Sequence, residues 1–109
     1  MAFNEELAFR IRQNIQTLGP DFTEKKMFGG LAFLYKGKMT VGIVNNDLMV
    51  RVVDSKFKEI LERPHVREMD FTGRSMKEFI YVEPPAYGDE NQLTEWINLG
   101  IEHAKGKLG

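Results

Sequence analysis

The chain has 109 residues without a single cysteine, and its 15 basic and 16 acidic residues leave a net charge of -1. That length holds one domain with a core of its own, and the missing thiols exclude disulfides, thiol nucleophiles, zinc fingers and iron–sulfur clusters. The near-neutral balance gives no global pull toward nucleic acid or anionic lipid.

The N-terminal MAFNEELAFR has neither the basic start nor the apolar core of a signal peptide. No run approaches the roughly 18 apolar residues of a membrane span. A single soluble, cytoplasmic domain over residues 1–109 is therefore expected. Leu7, Ala8, Ile11, Ile15 and Leu18 recur at helical steps, which predicts a helix from Glu5 to Leu18 with one apolar stripe. Asn4 can cap its free amides, Glu5 and Glu6 suit the positive end of its dipole, and Phe3 is placed to staple onto Ala8. Gly19 and Pro20 stop it.

Residues 25 to 53, KKMFGGLAFLYKGKMTVGIVNNDLMVRVV, read as an antiparallel meander of three strands, preceded by a short one at Glu24–Phe28. Lys36-Gly37 and Asn45-Asn46-Asp47 supply the turns. Alternation sends Leu31, Phe33, Tyr35, Met39, Val41, Ile43, Leu48, Val50 and Val52 to one face, the core face. The other face receives Ala32, Leu34, Thr40, Gly42, Val44, Met49, Arg51 and Val53, and is more apolar than a solvated sheet face usually is.

Asp54 is expected to cap a short helix carrying Phe57, Ile60 and Leu61, which ends at Pro64. A hairpin of Val66–Phe71 and Met76–Val82 follows, joined by the loop TGRSMK and closed by Pro84-Pro85. Asp89 and Gln92 have the spacing of a capping box for a last helix with the stripe Leu93, Trp96, Ile97, Gly100, Ile101 and Ala104, where Gly100 allows a close approach. The order α-β-β-β(-β)-α-β-β-α predicts a two-layer α+β domain in which helices pack on an antiparallel sheet.

Few residues suggest chemistry. Gly29 and Gly30 lack the third glycine, the following helix and the Gly-Lys-Ser/Thr of a phosphate cradle, so a bulge or a close helix–sheet contact accounts for them. The loop Gly73–Lys77 gathers cations and a hydroxyl, and with Arg51 it offers an anion-binding group of Arg51, Arg74, Ser75 and Lys77. A solvated hairpin loop explains the same residues. His65 and His103 have no ligand partner at helical spacing and read as surface or helix-end residues, so neither a metal nor another cofactor is expected.

No Gly-x-Ser-x-Gly or paired acid and base appears, so the chain reads as non-enzymatic; an anionic-ligand or enzymatic domain using the loop is the alternative. Trp96, Phe79, Tyr81 and Tyr87 are not interleaved with basic residues as single-strand binders require, and no direct nucleic-acid contact is expected. If the helices cover only the core face, Ala32, Leu34, Val44, Met49 and Val53 form a flat surface suited to a protein partner or a second copy.

The run MFGGLAFLYKGKMTVGIVNNDLMVRVV, then GRSMKEFIYVEPPAY, then the helix with Trp96, resembles the TfoX N-terminal domain family over about residues 12 to 105. The shared marks are the Met-Phe-Gly-Gly entry, the Gly-Arg-x-Met-Lys segment ahead of an aromatic strand, and the acidic, Trp-containing last helix. This resemblance implies an antiparallel sheet with helices on it, similar to the fold of secretion chaperones. Full-length members regulate competence genes and carry a second, helical C-terminal domain, so a stand-alone N-terminal domain acting through protein contacts is the expectation here.

Overall fold

The structure, a computed structural model, describes residues 4–17, 19, 21–27, 30–71 and 74–108, and the side chains of these except 27, 69–71, 74–77, 107 and 108. Helix α1, Glu5–Gln16, buries Leu7, Ala8, Ile11 and Ile15. Its predicted cap is present: Asn4 Oδ1 accepts from the Leu7 amide at 3.0 Å, satisfying one of the donors that a helix start leaves free. The expected contributions of Phe3, Leu18 and Pro20 lie outside the described residues.

Strands β1 (Phe22–Met27), β2 (Gly30–Tyr35), β3 (Lys38–Val44) and β4 (Asp47–Arg51) form the meander. Helix α2 (Asp54–Leu61), strands β5 (Val66–Phe71) and β6 (Arg74–Val82), a 3-10 turn (Pro84–Tyr87) and helix α3 (Glu90–Leu108) complete the described chain. All pairings are antiparallel, in the order β1-β2-β3-β4-β6-β5. The fold is the expected α+β type, a six-stranded sheet packed against helices.

The main core joins Leu31, Phe33, Val41, Ile43, Leu48, Val50, Ile80 and Val82 from the sheet to the stripes of α1 and α3, with Ile60 from α2. At about 25 cal/mol per Å² of apolar area removed from water, this cluster is the main source of stability.

Two irregularities shape the sheet. Phe33 lies opposite Val41 but Leu34 lies opposite Met39, so Thr40 is an extra residue in β3. An extra residue reverses the alternation, and Met39, expected on the core face, joins the cluster on the other side. Thr40 is buried, and its hydroxyl donates to the Phe33 carbonyl at 2.9 Å. In β6, Ile80 pairs with Glu68 but Ser75 pairs with Asp70, a larger shift. Within it Glu78 takes φ +73° and its carbonyl accepts from the Val52 amide at 2.7 Å.

The close helix–sheet contact expected at the paired glycines is not what Gly30 makes: its close neighbour is the backbone of strand β3. A Cβ there would lie 1.8 Å from the Ile43 carbonyl oxygen. Gly29 lies outside the described residues.

Candidate functional site

On the side of the sheet opposite the main core, Ala32, Met39, Met49 and Phe79 form a second apolar cluster, with Leu34, Val44 and Tyr81 packed against it and only partly buried. Cross-strand pairing builds it: Met49 lies opposite Gly42 on one side and Tyr81 on the other. A Cβ on Gly42 would come within 2.6 Å of the Met49 methyl, so the bare glycine gives the methionine room to lie flat. The sequence leaves Met49 against water, but both Met49 and Ala32 are fully buried, while Leu34, Val44 and Tyr81 keep contact with solvent.

Two arginines stack on the aromatic members, Arg51 with its guanidinium 5.0 Å from the Phe79 ring centre and Arg67 at 4.5 Å from that of Tyr81. Contacts of this kind contribute about 0.5–1 kcal/mol at exposed positions. Both cations are also ion-paired. Arg51 Nη2 lies 3.6 Å from Glu78 Oε1. Arg67 bonds the Asp47 carboxylate and lies 3.5 Å from Glu83 Oε2. Burial pushes the Asp47 carboxyl above its usual range, against the pull of Arg67 and with the help of Glu83. Burial, with the Asp47 charge nearby, likewise raises the Tyr87 hydroxyl, against the pull of Arg10. That hydroxyl donates to the Asn46 carbonyl.

Val53 leaves this face. It is the N-cap of α2 and borders a cavity with Asp54, Glu78, His103 and Gly106. The expected cap from Asp54 is absent, because Asp54 is the first helical residue and Val53 has no side-chain acceptor.

The anion-binding group is divided. Arg51 is engaged as described, whereas Arg74, Ser75 and Lys77 fall on strand β6, not in a loop, because pairing with β5 runs to Phe71 opposite Arg74. Their side chains and Gly73 lie outside the described residues.

His103, read from the sequence as a surface or helix-end residue, is 2% exposed. Its Nε2 is 3.1 Å from Glu78 Oε1, so one carboxylate faces both Arg51 and His103. Spacing could have revealed this burial, since His103 follows Gly100 by three residues and Trp96 by seven on the same helix. His65 is exposed, at φ +63°, with Nδ1 3.5 Å from Glu83 Oε1.

Among the described residues no helix is long and apolar enough to cross a membrane. The sequence model of the TfoX N-terminal domain family matches residues 13–104. No curated protein matches the chain.

Proposed function

The chain belongs to the TfoX N-terminal domain family, and on that basis we propose a non-enzymatic protein-binding module that pairs with a second copy of itself through the second face of its sheet. The family's competence-regulator character supports a role in transcription regulation exerted through protein contact and not through DNA.

One observation carries this reading. Leu34, Val44 and Tyr81 remain partly exposed over buried Met39, Met49 and Phe79, with arginines stacked at the margin. Methionine, aromatic residues and arginine are enriched in the cores of protein interfaces.

The pairing of charge favours a second copy as the occupant. An isologous contact sets a patch against itself, so an unbalanced charge would meet its own like. Here Arg51 faces Glu78, and Arg67 faces both Asp47 and Glu83, so each stacked arginine meets an opposite charge within its own copy. The sheet edge is a poorer docking element, because Glu24, Lys25 and Lys26 are exposed along β1 and charge on an edge strand opposes strand addition.

A dilution series followed by methyl NMR tests the reading. The Leu34, Val44 and Met39 methyl signals should move with protein concentration while those of Ile11 and Leu93 in the helix layer stay fixed. Signals that stay constant throughout, or movement confined to other surfaces, would overturn it.

A further inference from the structure

The chain has two histidines, and each faces a carboxylate that also faces one of the two arginines stacked on the second sheet face. His65 Nδ1 lies 3.5 Å from Glu83 Oε1, and Arg67 Nε lies 3.5 Å from Glu83 Oε2. His103 Nε2 lies 3.1 Å from Glu78 Oε1, and Arg51 Nη2 lies 3.6 Å from that same oxygen. Histidine is the side chain whose charge ordinarily changes between about pH 5 and 8, so both links tie the ion pairs of this face to pH.

The two links are unequal. His65 is half exposed, solvent screens its charge, and Arg67 keeps the Asp47 carboxylate whatever happens at Glu83. His103 is enclosed, and both its ring nitrogens, like Arg51 Nε, are buried without a hydrogen bond among the described residues. A charge on this ring is little screened, and Glu78 is the carboxylate paired with Arg51. The Glu78 backbone sits at φ +73°, a conformation that non-glycine residues seldom adopt and that recurs at switch regions.

The other charged groups around His103 leave this link in place. Asp54, the first residue of α2, borders a cavity of about 200 Å³ together with His103 and Glu78. On α3 itself, Glu102 is bound by Lys56 of α2 at 2.9 Å, and Lys105 lies over the Tyr35 ring, 6.0 Å from its centre.

We propose that protonation of His103 draws Glu78 away from Arg51 and thereby weakens the pairing of two copies through the second sheet face. This response to acid rests on the docking role of that face given above. With a neutral imidazole, Glu78 serves Arg51, which enters the contact as half of an ion pair. A proton on the ring creates a cation 3.1 Å from Glu78 Oε1, nearer than Arg51, and two cations then compete for one oxygen. Arg51 enters the contact unpaired, and desolvating an unpaired charge is unfavourable.

Sedimentation equilibrium at about pH 8 and about pH 5.5, towards opposite ends of the ordinary histidine range, tests the gating. Self-association of the native chain should be about tenfold weaker at the lower pH, from a loss of roughly threefold at the ion pair of each copy. His65→Gln, at an exposed position, should keep this response. His103→Gln, with its circular dichroism spectrum and melting temperature measured in parallel, should lose it. In the native chain, at a dilution where it is monomeric, the Phe79 ring signals in NMR should move together with those of the His103 ring as pH falls, which reads the release of Arg51 without any pairing. Phe79 signals that do not follow His103 would overturn that release. Association equal at both pH values, or stronger in acid, would overturn the gating and leave the docking face standing, whereas a monomer at both would overturn the docking face and the gating with it.

Discussion

The backbone of Thr40 occupies the space that a side chain on Gly100 would need. A Cβ on Gly100 would lie 2.4 Å from the Thr40 carbonyl oxygen and 3.1 Å from its Cα. The extra residue in β3 and the bare position in α3 are therefore two halves of one contact, which seats the last helix on the middle of the sheet. Gly100→Ala should force α3 off β3 and cost about 3 kcal/mol, at the upper end for overpacking. Gly106, on the same helix with nothing within 4 Å of an added Cβ, is the control. Gly106→Ala should stabilise by about 0.5–1 kcal/mol, the helix-propensity gain. Urea denaturation of both variants measures the contrast.

The cap on α1 gives a second, smaller effect. Asn4 Oδ1 accepts from Leu7 N, and the Asn4 amide donates to the Asn45 carbonyl at 2.7 Å, tying the helix start to the turn between β3 and β4. Asn4→Ala removes the cap and the exposed 3.2 Å bond from Asn4 Nδ2 to Asn46 Oδ1 but keeps the backbone tie, and should cost about 1 kcal/mol, read as a lower denaturation midpoint with an unchanged slope.

Arg12 and Glu24 join α1 to the edge strand through two bonds, Nε to Oε2 at 2.7 Å and Nη2 to Oε1 at 2.8 Å. The hydrogen bond from Arg12 holds the Glu24 carboxyl below its ordinary value of 4.5. A carboxyl with a lowered folded pKa contributes stability above its unfolded pKa and loses it as pH falls through the folded value. The side chains are 47% and 37% exposed, so solvent screening limits the pair to about 0.5 kcal/mol. Glu24→Gln should be less stable than the native chain by about that amount at neutral pH. The gap should close as pH falls below 4.5, and a gap that widened in acid would contradict the assignment.

Local features of the fold are legible in the sequence. Asn4 caps α1 as its side chain predicts. The capping box is present with Asp89 N to Gln92 Oε1 at 3.1 Å and Gln92 N to Asp89 Oδ1 at 2.8 Å. Both depend on residues three apart, and Gly100 was visible as a gap in an apolar stripe. The register shifts at Thr40 and around Glu78 are not, since each lies within a hairpin of neighbouring strands whose residues alternate without a break and no residue preference marks the extra positions. That omission put Met39 on the wrong face and hid the route by which Glu78 meets His103. Asp54 has the side chain favoured at a cap, whereas the strand exit at Val52 and Val53 places the helix start one position earlier. The second apolar face was legible in outline, but the burial of Met49 depends on the space left by Gly42.

Burial also determines which substitutions can probe the docking surface. Met49→Lys would place a charge in a fully buried position and damage the fold, whereas Leu34 and Val44 are partly exposed. Sedimentation equilibrium of the native chain beside Leu34→Lys and Val44→Lys is the most direct test of the pairing. The native chain should approach twice its 12.6 kDa mass as concentration rises through the micromolar range, and each variant should remain monomeric with an unaltered circular dichroism spectrum. A native chain that sediments as a monomer at every concentration, or variants that associate as well as it does, would contradict the assignment of the second sheet face as a docking surface.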